Sequence, residues 1–172
     1  VVNDLGGGPG GGGGDASVAQ QAVDALKALG GEAAPETSSM DGFEGGRRAV
    51  QAAINAFGRI DLIFNNAGIV EKASKFVDIP PDRLQRILAI NTVGAFVAAQ
   101  EAARRMAKSR GGRGGVIVNM SSMASKLGGS NESTDYATAK GAVDTLTIGL
   151  AKELAPEGIR VNAVRPGLID TD

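Results

Sequence analysis

The sequence predicts an α/β fold in which a parallel sheet is covered by helices on both faces. Short apolar runs at Asp61–Asn65, Gly115–Met120 and Ile159–Val164 alternate with longer stretches of helical apolar spacing. That alternation is the pattern of parallel strands joined by crossover helices. Each run also ends in small polar residues: Asn65-Asn66-Ala67-Gly68, Ser121-Ser122 and Arg165-Pro166-Gly167. In parallel sheets, ligands bind beyond the C-terminal strand ends.

In chain order, Val1-Val2-Asn3 opens on an apolar pair and is followed by a Gly-rich segment at 6–14, expected to be a flexible surface loop. Ala16–Leu29 repeats apolar residues at helical spacing (Val18, Ala22, Ala25, Leu26, Leu29) and stops at Gly30-Gly31, a helix with its terminator. Glu32–Thr37 is a poor strand, weakened by Pro35. Phe43–Phe57 reads as helix. Pro80–Ile90 and Asn91–Lys108 read as one long helix or two joined ones, with Pro80-Pro81 at the start. Thr134–Leu154 reads as a long helix before the last strand.

At 172 residues and 42% hydrophobic, the chain can bury the core of one globular domain spanning 1–172. Net charge is −1, and the one basic cluster (Arg104, Arg105, Lys108, Arg110, Arg113) has few aromatics beside it. It reads as the solvated end of a helix, so no nucleic-acid partner is expected. With no Cys and no His, disulfides, thiolate nucleophiles and the usual metal ligands are absent, and no metal site is expected. No signal peptide or membrane span is visible, which predicts a soluble cytoplasmic protein with no membrane partner. The chain starts without Met inside an apolar run and reads as an interior piece of a longer protein.

The candidate chemistry centres on Tyr136 and Lys140. Their spacing of four puts a phenol and an ammonium on one helical face, a turn apart. A phenol with an ordinary pKa of ~10 transfers protons poorly at neutral pH, and a neighbouring cation favours its phenolate. Alone, the pair reads more readily as a half-buried Tyr beside a solvated Lys. Ser122 could be a strand-end turn, Asn91 a helix cap or break, and Asn65 and Asn66 backbone ties. Gly6-x-Gly8-x-x-Gly11 fits a dinucleotide fingerprint, but so slack a glycine run fixes no phosphate cradle. The better nearby candidate is Asp4, a carboxylate able to hold an adenosine ribose and to repel a 2′-phosphate; it also fits a turn.

Taken together these residues resemble the short-chain dehydrogenases/reductases. The matching elements are Asn65-Asn66-Ala67-Gly68, Asn91, Ser122, Tyr136-x-x-x-Lys140 and Arg165-Pro166-Gly167-Leu168-Ile169-Asp170-Thr171, in the family's order over about residues 60–172. The opening Val1–Gly7 is also similar to the second strand of the dehydrogenase domain in multifunctional β-oxidation enzymes. The resemblance implies a Rossmann-like, doubly wound parallel sheet flanked by helices and incomplete at both termini. It implies hydride transfer between NAD(P) and a carbonyl or secondary alcohol. Tyr136 would be the general acid/base, Lys140 would tune it and bind the nicotinamide ribose, Ser122 would hold the substrate oxygen, and Asn91 would bind a relay water. Asp4, Asn65, Ala67, Gly68, Pro166, Gly167, Ile169 and Thr171 would line the cofactor with Tyr136 and Lys140. Asp4 favours NAD, with NADP left open.

The family's first strand and its Gly-rich turn would precede Val1. Without that central strand the sheet would fall into two half-sheets with apolar edges, and the isolated chain would be marginally stable and bind NAD weakly. Family members pair through the helices corresponding to Val93–Met106 and Ala137–Leu154, so a homodimer or homotetramer is expected. Two alternatives stand beside this reading: a catalytically silent binding module on the same fold, and the 3-hydroxyacyl-CoA dehydrogenase part of a multifunctional β-oxidation enzyme. Substrate-side segments are expected at Val70–Ile79 and Ala124–Asp135, both read as polar and mobile.

Overall fold

The structure, a computed structural model, describes residues 1–8, 14–129 and 132–169. In order, the elements are β1 (Val2–Asn3), α1 (Ala16–Ala28), β2 (Pro35–Glu36), α2 (Gly42–Phe57), β3 (Leu62–Asn65), α3 (Pro81–Leu88), α4 (Ala95–Met106), β4 (Gly115–Met120), α5 (Ala124–Leu127), α6 (Thr134–Leu154) and β5 (Ile159–Val164). All strand pairs are parallel. The strands form two sheets, β1-β2 and β3-β4-β5, as expected if a central strand is missing between them. The weak strand expected at Glu32–Thr37 is the two-residue β2, paired to β1 despite Pro35. Pro35 sits at the first strand position of an edge, where its missing N–H costs little. The glycine run between β1 and α1 falls partly outside the described residues.

Register explains how the larger sheet is filled. Ile63, Ile117 and Val161 lie opposite one another across β3, β4 and β5. With Ile159 they form one core with Val50 of α2, Ala99, Ala102 and Met106 of α4, and Leu150, Ala151 and Leu154 of α6. Three helices therefore cover one face. The alternate positions point the other way, and there Leu62 is 57% and Phe64 47% exposed. Together they leave an apolar patch on this face of β3.

The segment expected to be one long or two joined helices is α3 and α4 with a π-helical turn, Ala89–Gly94, between them. Gly94 is required within that turn. A Cβ there would lie 2.4 Å from the Met40 carbonyl oxygen, closer than any side chain permits. The wide turn carries Asn91 inward, and such turns concentrate at functional positions. Below it, Ile69, Ile87 and Ala139 form a second small core joining the loop after β3, α3 and α6.

Candidate active site

The long helix α6 opens at Ser133 and carries Asp135, Tyr136 and Lys140 in its first two turns. Its inward positions, Ala137, Ala139 and Val143, are small or β-branched and buried, so the helix lies close to its neighbours. Tyr136, the chain's single tyrosine, is half-buried. The Lys140 Nζ stands 5.7 Å from its ring centroid, the near approach that the four-residue spacing predicts.

Lys140 is only 3% exposed. Its Nζ donates to the Met120 carbonyl oxygen at the end of β4, at 2.7 Å. An ammonium has three donors, and among the described residues this is its only hydrogen bond to protein. Burial pushes its pKa down to about 8. The folded value lies below the ordinary 10.5, so between those values the unfolded chain binds the extra proton. Stability therefore rises as pH climbs from about 8 to 10.5, by about 3 kcal/mol at most. Urea titrations across that range should show the rise in the native sequence and its loss in Lys140→Met; equal slopes in both would refute it.

Asn91 is 1% exposed and grips the backbone of Ile69 with both ends of its amide. Its Oδ1 accepts from the Ile69 N–H at 2.7 Å, and its Nδ2 donates to the Ile69 carbonyl oxygen at 2.8 Å. That fixes the loop carrying Asn66, Ala67 and Gly68, all exposed. A Cβ on Gly68 would sit 3.0 Å from Asn91 Oδ1 and 3.3 Å from Lys140 Nζ. Three predicted residues, Gly68, Asn91 and Lys140, thus converge on one point beside Tyr136.

The two serines after β4 have separate roles. Ser121 is buried, with its hydroxyl 3.3 Å from the Lys140 carbonyl oxygen. Ser122 is half-buried and its Oγ accepts from the Ala124 N–H at 3.1 Å. Asn65 is buried within the fold. Its Nδ2 donates to the Ala95 carbonyl oxygen and to Asn119 Oδ1, while Asn119 donates to Thr147 Oγ1. Its amide ties β3, β4, α4 and α6 together.

Pro166 meets the Ser122 loop through the Met123 N–H at 3.0 Å, and Gly167 and Ile169 follow it, exposed. Thr171 lies outside the described residues. Asp4 stands apart on the two-stranded sheet, exposed at the end of β1, with its Oδ1 accepting from the Gly6 N–H at 2.7 Å. The segment 124–135 contains α5, and Glu132 is tied to the facing loop by the Ser74 N–H and by Lys75 at 3.4 Å.

Arg83 was not singled out from the sequence, yet it braces the tyrosine. Its Nε donates to Asp135 Oδ2 at 2.7 Å and its Nη1 to the Lys72 carbonyl oxygen at 2.7 Å. Burial would raise the Asp135 carboxyl, but the Arg83 hydrogen bond, the Tyr136 N–H and the Arg83 charge together hold it below the usual range. The 52-residue separation of this pair leaves no local sequence signal. The expected basic cluster is partly neutralised, since Arg104 and Arg105 both pair with Glu101.

A family model for short chain dehydrogenases matches residues 14–172. The chain belongs to that family. It is 50% identical over 110 residues to the uncharacterized oxidoreductase YgfF of Escherichia coli K12, covering 64% of this chain and 44% of that protein. It is 39% identical over 147 residues to the L-rhamnose 1-dehydrogenase (NAD(P)(+)) of Azotobacter vinelandii, covering 86% of this chain and 56% of that protein. Among solved structures, a short chain dehydrogenase from Burkholderia cenocepacia J2315 in complex with NADP superposes with a TM-score of 0.83 at 35% identity, over 91% of this chain and 62% of that one. The short-chain dehydrogenase chain described here therefore spans about half the length of these curated relatives. Among its described residues no helix is long and apolar enough to cross a membrane.

Proposed function

We propose that this short-chain dehydrogenase catalyses hydride transfer between a nicotinamide cofactor and a carbonyl or secondary alcohol, with Tyr136, Lys140, Ser122 and Asn91 as the reacting set. The carrying observation is the buried Lys140 ammonium, which among the described residues has one protein acceptor and stands near Tyr136 and, with Asn91, beside Gly68. Donors left over on a buried cation suit a polyol such as the nicotinamide ribose. The residues present therefore fit the cofactor, which when bound would supply or accept the hydride.

Tyr136 gives the proton to the substrate oxygen in reduction and takes it in oxidation. Lys140 stabilises negative charge on the phenol oxygen while that proton moves. Ser122 can donate its hydroxyl proton to the substrate oxygen, because its Oγ is an acceptor in the bond from Ala124. Asn91 keeps a second lone pair on Oδ1 beside Lys140, where a relay water could be held. Ala67, Gly68, Pro166, Gly167 and Ile169 line the cofactor in this reading. Asp4 confers preference for NAD, while the dual-cofactor name of the Azotobacter relative keeps NADP in play. Pairing of copies through α4 and α6 belongs to the same proposal, supported by the exposure of Phe96 on α4.

The test is nicotinamide turnover by protein expressed from the full gene. NAD and NADP are each offered with a panel of sugars, cyclic alcohols and acyl thioesters, and reduction is followed by absorbance. Saturable turnover, with NAD preferred, is expected. Binding of neither dinucleotide would overturn the proposal.

A further inference from the structure

We propose that Asp144 is the positioning residue of this site, a buried carboxylate that locks the Ser122 loop and the Arg165–Gly167 turn onto the helix bearing Tyr136 and Lys140. The inference rests on the reading of the site given above. Asp144 follows Lys140 by four residues and Tyr136 by eight, so all three share one face of α6. It is 4% exposed.

Two segments reach that carboxylate from outside the helix. From the end of β5, Arg165 Nε lies 2.9 Å from both Oδ1 and Oδ2. From the Ser122 loop, Ser125 Oγ lies 2.7 Å from Oδ2 and 2.8 Å from the Ser122 carbonyl oxygen. A hydroxyl has one proton, so Ser125 shares it between the two acceptors and couples the Ser122 backbone to Asp144. Lys126 Nζ stands 3.6 Å away. The two segments also bond each other directly, through Ser121 N–H to the Val164 carbonyl and Met123 N–H to the Pro166 carbonyl. Burial would raise the Asp144 carboxyl, but hydrogen bonds from Arg165 and Ser125 hold it at about 2, so it is ionised at neutral pH.

Stability alone does not explain such a group. Arg165 keeps 34% of its side chain exposed, and burying a carboxylate against a cation is often no more stabilising than apolar residues of the same volume. What the carboxylate supplies is direction, because its two oxygens and their donors fix three chain segments at set angles. Each of those segments carries part of the proposed machinery: Ser122, Pro166-Gly167, and the Tyr136/Lys140 pair. A shift of about 1 Å in one of them can slow a reaction by about a hundredfold.

The decisive variant is Asp144→Asn in protein expressed from the full gene, which keeps volume and removes the charge. Per folded molecule, kcat should fall by about 10- to 100-fold while KM for the dinucleotide stays within about twofold. The primary deuterium isotope effect on kcat should rise, because misalignment slows hydride transfer itself. Mere loss of folded protein would leave that isotope effect unchanged. A kcat within about twofold of the unsubstituted protein, or losses that only track the folded fraction, overturn the proposal. If Asp144→Asn does not fold, Ser125→Ala decides. It removes the hydroxyl that joins Asp144 to the Ser122 carbonyl while leaving the Arg165 contact in place, and should lower kcat by about 3- to 10-fold with the same rise in isotope effect; an unchanged kcat overturns the proposal. Tyr136→Phe separates the two levels. Turnover that survives it sinks the site assignment and the role of Asp144 together. Turnover abolished by it but intact in Asp144→Asn sinks the role of Asp144 alone.

Discussion

Tyr136→Phe lowers nicotinamide turnover by about 10²- to 10⁴-fold, the usual contribution of a positioned acid/base group, and leaves the fold and dinucleotide binding intact. Only one oxygen is removed. The ring is half-buried and its packing is retained, so far-ultraviolet dichroism and the thermal midpoint should match the native protein. Lys140 keeps its bond to the Met120 carbonyl in the variant, and the cofactor contacts proposed for it do not depend on the phenol. The loss should therefore appear in kcat, with KM for the dinucleotide little changed. Unchanged turnover would favour the silent binding module over the enzyme.

Ile117→Ala should cost about 2–5 kcal/mol, the range for truncating a buried isoleucine. Ile117 is fully buried at the middle of β4, opposite Ile63 and Val161, in the core that α2, α4 and α6 share. Strand pairing on both sides holds the backbone of β4 in place, so the cavity cannot close by strand movement. For a chain of this size the thermal midpoint should fall by roughly 10 °C. Against total stabilities of about 5–15 kcal/mol typical of domains, this one truncation removes a large share of what holds the chain folded. A midpoint within about 2 °C of the native value would show that this core does not carry the fold.

The larger elements were legible because their signals are local. Gly115–Met120, Thr134–Leu154 and Ile159–Val164 occupy the expected spans: the two strands are short apolar runs ended by turn residues, and the helix is a long uninterrupted stretch that stops before Pro156 and Gly158. The two-residue β2 was barely visible, because a strand that short has no period to read. The break between α3 and α4 could be sensed from the sequence but not typed. Gly94 within the π turn is demanded by the approach of the Met40 carbonyl, a contact between residues far apart in the chain. The short α5 at Ala124–Leu127 and the bond between Ser74 and Glu132 had no signal in this polar stretch.

By itself, the sequence determined the helix face on which Tyr136 and Lys140 meet, since a spacing of four residues has one geometric outcome on an α-helix. It also determined the α/β class, through the alternation of apolar runs with amphipathic stretches. Only the tertiary structure decided how much water Lys140 sees, that Met120 is its hydrogen-bond partner, and that Asn91 grips Ile69 with its whole amide. It alone revealed Arg83 behind Asp135 and placed Asp144 at the junction of three segments. These features depend on burial and on pairs separated by 19 to 52 residues. Periodicity reports which face of an element is apolar, but the partner that closes over that face is chosen by packing.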